Sequence, residues 1–240
     1  MCTVSWLHTD GGYHLLCNRD EQRSRPVADA PTVREQRGVQ VLAPTDGALG
    51  GTWISVNEYK VTLCLLNAVA PSAAARGAQS RGWLLASLAP GRRVDEVVEQ
   101  FSGRELTSFA PFSLLALEPG SPAALMEWDG QRQRVCPAAD ACSPLVSSSF
   151  DLPGVKERRR REFHRLVRQA PGEALSAHFA FHASHGAQPD AYSPCMHRPD
   201  AETVSFSWIH VSKSSAGFFY APGPVCQWRP GRTYELRFPN

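Results

Sequence analysis

Cys2 directly follows Met1, and the polar run Asn18-Arg19-Asp20-Glu21 comes soon after it in the chain. Methionine is normally trimmed when the second residue is this small, so the mature chain could begin with Cys2. One residue would then carry a thiol nucleophile and a free α-amine able to serve as its base. An α-amino group has a pKa of about 8, which leaves a useful neutral fraction near physiological pH. That combination suits attack on an acyl carbon.

The elements needed to assemble such a site are legible. Residues 2–8 read as a strand, Asp10-Gly11-Gly12 as a turn, and residues 13–17 as the returning strand. With the turn centred near Gly11, paired residue numbers sum to about 22. Cys2 is then expected opposite Asp20 and beside Arg19. Cross-strand neighbours have Cβ atoms about 5 Å apart, so all three groups fall within reach of one another. Arg19 would favour a thiolate, and Asp20 could hold the terminal ammonium or orient the amine. The alternative is a polar strand end carrying an exposed ion pair, which is common and worth little.

Met1-Cys2-Thr3 followed by Cys17-Asn18-Arg19-Asp20-Glu21 resembles the NRDE family, also called the transport-and-Golgi-organisation protein 2 family. Gly50-Gly51-Thr52-Trp53, Asn67, Ser80-Arg81-Gly82 and Pro111-Phe112 agree with it, and the likeness thins after about Val135. That family is similar in turn to the N-terminal-nucleophile hydrolases of the choloylglycine hydrolase and penicillin V acylase group. The resemblance implies a catalytic set of Cys2, Arg19 and Asp20, and an αββα sandwich of two stacked antiparallel sheets with helices outside. It implies an oxyanion donor in Asn67, which ends a strand after the Asn57-Glu58 turn; a strand-terminating loop Asn is the competing account. Asn18 and Ser148 are expected on the substrate side, Ser148 lying nearest the position where those hydrolases carry a second Asn. A Ser hydroxyl is a shorter and less fixed donor than an amide. Arg198 resembles their second site Arg, against a plain surface Arg. The family's association with membrane trafficking and with lipid and haem handling supports a second expectation, a non-catalytic acyl- or haem-binding protein on the same scaffold.

A separate cluster lies near the C-terminus. His182-x-x-His185 and Cys195-x-His197 supply four N/S ligands, enough for a tetrahedral metal or, with fewer, for haem iron. The spacing matches no standard zinc pattern, and a packed polar patch is the competing account. No cofactor is required by the hydrolase reading. The basic run 156–161 opens a helix whose apolar positions are Val155, Phe163, Leu166 and Val167. It reads as a solvated face, or more sharply as an anion or membrane-surface site. Aromatics are not interleaved with this charge, which argues against nucleic acid.

Composition bounds the rest. A chain of 240 residues with 42% hydrophobic content is expected to form one domain over residues 1–240 with a sizeable core. No apolar run is long enough to span a bilayer and no signal segment opens the chain, so a cytoplasmic location is expected. Seven irregularly spaced cysteines argue against a secreted disulfide framework, and a net charge of +2 gives no nucleic-acid signal. Strands are expected at residues 51–56, 61–66, 112–117, 124–128, 132–136, 203–211, 216–220 and 233–238. Helices are expected at 79–88, 94–101, 155–168 and 173–182, with an alanine-rich loop containing Pro71 and Gly77. That order is α+β.

Overall fold

The computed structural model describes residues 2–68, 78–169, 174–186, 188–227 and 231–239. The expectations for Met1, for the loop carrying Pro71 and Gly77, and for Glu173 as the first residue of a helix lie outside the described residues. The strands are β1 (Cys2–Thr9), β2 (Gly12–Gln22), β3 (Asp29–Gln36), β4 (Val39–Thr45), β5 (Ile54–Asn57), β6 (Thr62–Asn67), β7 (Phe112–Leu117), β8 (Ala124–Trp128), β9 (Gln133–Cys136), β10 (Leu145–Ser147), β11 (Ala201–Val211), β12 (Ser215–Pro222) and β13 (Arg232–Arg237). The helices are α1 (Arg81–Leu88), α2 (Val94–Ser102), α3 (Leu152–Phe163) and α4 (Ala174–Ala183).

These strands form two antiparallel sheets. One runs β10-β1-β2-β11-β12-β13, and the other β3-β4-β5-β6-β7-β8-β9. Alternate residues of each strand bury on opposite faces, so each sheet serves two apolar layers. Val4, Trp6, Leu15, Cys17, Ile209 and Phe218 of the first sheet meet Leu42, Ile54, Val56, Leu66, Leu115 and Leu117 of the second. On the outer face of the second sheet, Leu63, Leu65 and Leu114 pack under Leu84, Leu85 and Leu88 of α1 and Val97 and Phe101 of α2. Leu16 and Phe206 face the opposite way, with Phe179 of α4 packed on them. The outcome is the expected four-layer αββα sandwich. Each fully buried large aliphatic side chain contributes about 1.5–3 kcal/mol, so these layers dominate the stability.

Local sequence explains the helix placement. Val94, Val97 and Phe101 form one buried stripe on α2, and Asp95 and Glu96 sit in its first turn, where the helix dipole favours acids. Asp151 caps α3 by accepting from the Gly154 N–H, with Pro153 in the first turn. That Asp-Leu-Pro start places the helix three residues earlier than the periodicity of its apolar positions suggests.

The β1–β2 register differs from the expected one by a residue. The turn is the two-residue Asp10-Gly11, with Gly11 at φ +81°, so Thr9 pairs with Gly12 and Cys2 with Arg19. The strands β3, β4 and β10 were not expected. β3 is an exposed edge strand whose pattern shows no apolar alternation, and its hairpin to β4 turns on Arg37-Gly38, both at positive φ, rather than on an Asn-Gly pair.

Candidate active site

The observed register sorts the Asn-Arg-Asp run by face. Directly opposed residues share a face and successive residues alternate, so Arg19 and Cys17 project with Cys2 toward the inter-sheet layer. Asn18 and Asp20 project with Thr3 toward the helices. The Asn18 side-chain amide donates to the carbonyls of His182 and Pro194, both at 2.8 Å. It therefore ties β2 to the C-terminal segment rather than presenting its amide to a ligand.

Arg19 is held in place from two sides. Its Nη2 donates to Asp46 Oδ2 at 2.5 Å, and its guanidinium lies 4.2 Å from the centre of the Trp53 ring. Asp46 also takes two bonds from Arg25, at 3.0 and 2.9 Å, and accepts from the Ala48 and Leu49 N–H groups of its own turn. Burial pushes the Asp46 carboxyl up, but the bonds from Arg25 and the Leu49 N–H, with the charges of Arg25 and Arg19, outweigh it and hold the carboxyl below its usual range. Sequence reasoning missed Asp46; its signal was the Asp46-Gly47 turn between two strands.

Asp20 is fixed by a buried ion pair. Its Oδ2 lies 3.3 Å from both terminal nitrogens of Arg159, and Thr203 Oγ1 donates to Oδ1 at 2.6 Å. Arg159 also donates to Thr3 Oγ1 and to the Tyr192 carbonyl. Burial raises the Asp20 carboxyl above its ordinary value, with Arg159 pulling the other way. Arg159 is fully buried, whereas the charge pattern of the basic run suggests a solvated face. The missed signal is spacing: Val155, Arg159 and Phe163 lie at i, i+4 and i+8, one stripe of α3.

Cys2, Arg19, Asp20 and Asn67 line one cavity of about 70 Å³, so strands β1 and β2 of one sheet and β6 of the other meet there. Its far wall includes Thr52, Trp53 and Gly82. The Thr52 N–H donates to the Gly82 carbonyl, and a Cβ on Gly51 would stand 2.5 Å from the Gly82 carbonyl carbon. Both glycine motifs of the sequence thus exist to let two backbones pass in contact at this wall.

Cys2 itself is 7% exposed. A hydrogen bond with Cys17 and burial push its thiol well above the ordinary value. Its main-chain nitrogen donates to Ser147 Oγ at 2.9 Å. That bond follows from β10 pairing with β1 opposite Cys2.

The remaining expected residues lie elsewhere. Ser148 bonds both ways with the Phe150 backbone and lines a neighbouring cavity of about 330 Å³, which also includes Asn67 and Ser147. Arg198 pairs with Asp200 at 2.7 Å and lies over the Phe150 ring. His182 is buried against Ser5 Oγ at 2.9 Å, whereas His185, Cys195 and His197 gather with Cys226, which sequence reasoning had not included.

Solved structures that share this fold include enzymes. Penicillin V acylase from Agrobacterium tumefaciens superposes with a TM-score of 0.59 at 12% identity, covering 99% of this chain and 86% of that one. A mutant of conjugated bile acid hydrolase from Clostridium perfringens gives 0.57 at 14%, covering 99% and 92%. The Caenorhabditis elegans ortholog of N-acylethanolamine-hydrolyzing acid amidase gives 0.62 at 12%, covering 98% and 100%. At these identities the likeness is one of fold. No curated protein matches the chain in sequence. The family described as Transport and Golgi organisation 2 matches residues 1–213, and the chain belongs to that family.

Proposed function

We propose that this chain is an N-terminal-nucleophile amidohydrolase that cleaves a non-peptide C–N amide bond through Cys2. The observation that carries the reading is the cavity where Cys2, Arg19, Asp20 and Asn67 converge from both sheets. Enzymes acting on small amide substrates share the fold, which supports the reaction class by analogy.

The chemistry follows from what Cys2 lacks. Its buried thiol is protonated at neutral pH, so a local base is needed. With Met1 removed, the neutral α-amine of Cys2 takes the thiol proton as sulfur attacks the carbonyl carbon. Asn67, at the end of β6, donates to the developing oxyanion. The C–N bond then breaks as the ammonium returns a proton to the leaving nitrogen, leaving a thioester on Cys2. Water gives a proton to the amine and attacks the thioester; the C–S bond breaks, sulfur recovers the proton and a carboxylic acid leaves. Arg19, fixed by Asp46 and Trp53, lends positive potential to the sulfur, and Asp20 anchors the strand end beside it.

The test is intact mass together with labelling by an electrophilic amide or lactone. The expected result is a chain lacking Met1 that gains one adduct, lost in Cys2→Ala. Unchanged labelling of Cys2→Ala overturns the reading.

A second reading, an acyl-holding protein without turnover, is favoured by the neighbouring 330 Å³ cavity, which Leu66, Leu125, Leu145 and Val146 line with Lys156 and Arg160. Native mass spectrometry showing a retained acyl ligand and no adduct on Cys2 selects it. Haem is the other ligand this reading admits, tested by a Soret shift on haemin titration. A cytoplasmic location accompanies both readings. It is supported by seven free cysteines, and no helix among the described residues is long and apolar enough to cross a membrane.

A further inference from the structure

On the opposite side of β2 from the Cys2 cavity, three segments bring four soft ligands together. His185 follows the end of α4, Cys195 and His197 lie in the segment before β11, and Cys226 sits in a short turn after β12. Their ligand atoms all lie within 4.8 Å of one another. His197 Nε2 is 3.2 Å from His185 Nε2, 3.7 Å from Cys195 Sγ and 3.3 Å from Cys226 Sγ.

Hydrogen bonding does not account for this grouping. A ring nitrogen offers one hydrogen or one lone pair, yet His197 Nε2 is at contact distance from three polar atoms. A shared cation satisfies all of them at once. With Zn–N of about 2.05 Å and Zn–S of about 2.3 Å, a regular tetrahedron has edges of about 3.4 Å for N···N and about 3.6 Å for N···S. The two N···S separations bracket their edge, and the N···N separation of 3.2 Å falls within about 0.2 Å of its own. Two nitrogens on opposite axial faces of a haem iron would stand about twice a metal–nitrogen bond apart, roughly 4 Å, so 3.2 Å fits a tetrahedral edge and not an axial pair.

We propose that His185, Cys195, His197 and Cys226 form a Cys₂His₂ site for a structural zinc ion. Two thiolates and two imidazoles in a tetrahedron select zinc among the common divalent ions. Four protein ligands leave no position for water or substrate, which makes the site structural and not catalytic. The ion ties together the segment from His182 to His197, whose His182 and Pro194 carbonyls receive the Asn18 amide. It therefore holds the outer face of β2 directly behind Arg19. His182, on the apolar side of α4, takes no part.

The test uses the full chain purified without chelator. Elemental analysis is expected to give about one zinc per chain, and Cys195→Ser and Cys226→Ser each to lose it, while His182→Gln keeps it. Replacement by cobalt is expected to give the intense ligand-field bands and thiolate charge transfer of tetrahedral S₂N₂ coordination. Stripping the zinc is expected to lower Tm by about 4 °C or more. Three outcomes overturn the proposal: a metal-free chain that takes up neither zinc nor cobalt, a Cys195–Cys226 disulfide seen as the loss of two hydrogens, or stoichiometry that follows His182 instead of Cys226.

Discussion

The main-chain nitrogen of Cys2 donates to Ser147 Oγ at 2.9 Å across the β1–β10 pair, so the atom that becomes the α-amine already has an oriented partner. A hydroxyl that accepts one N–H leaves the amine lone pair free to face elsewhere, which a general base requires. On the amidohydrolase reading, Ser147→Ala is expected to lower kcat about three- to tenfold, the value of one ordinary hydrogen bond, with KM nearly unchanged. Steady-state kinetics beside a melting curve check it. An equal loss in KM, or a Tm drop that explains the loss, would assign Ser147 to folding alone.

The hairpin, most of the inner strands and helices α1 to α4 could be read from periodicity and turn residues, because each buries one apolar face; the inner strand β4 could not. The Cys2–Arg19–Asp20 grouping was legible for the same reason. Its faces were not: a one-residue difference in turn length moved Asp20 from opposite Cys2 to the helix side. Ser147, Asp46 and Arg159 escaped because their roles depend on partners far along the chain. Cys226 escaped likewise, since nothing local marks it as a neighbour of His197.

The Asp20–Arg159 pair has no exposed side-chain surface on either partner. Breaking such a pair leaves one buried charge without compensation, which costs about 3–5 kcal/mol, whereas removing both charges is often neutral. Arg159→Met is therefore expected to destabilise by that amount, and adding Asp20→Asn to recover at least half of it. Urea unfolding of the two single variants and the double variant measures the coupling, and strict additivity would show that the pair is not a unit.

Asp46 gathers Arg19, Arg25 and two turn N–H groups, so Asp46→Asn is expected to cost about 1.5–3 kcal/mol at neutral pH. Its folded pKa lies below the usual carboxylate range, so it stabilises above the unfolded value of about 3.9, and that stabilisation is lost as pH falls through the lower folded value. The gap between wild type and variant should hold from pH 7 to about 4 and close in stronger acid. Unfolding free energies across that range check it, and a gap independent of pH would remove the electrostatic account.

Ser5 Oγ bridges His178 Nδ1 at 2.7 Å and His182 Nε2 at 2.9 Å beneath α4, a buried pair of histidines that fold neutral. His178 faces the edge of Phe163, and His182 faces Phe181 and Phe206. Burial, with the positive charge of Arg168, lowers His178 to about 4. Burial, with His178 and Arg159 nearby, holds His182 well below its ordinary value. An unfolded histidine titrates near 6.5, so between about 6.5 and 4 the unfolded chain binds more protons and stability rises with pH. Acidification through that window is expected to destabilise the fold by up to about 1.4 kcal/mol per pH unit for each such histidine. His178→Gln should flatten the dependence by one proton while keeping a polar partner for Ser5. The slope of unfolding free energy against pH is the measurement; an unchanged slope in His178→Gln would mean that acid acts through other groups.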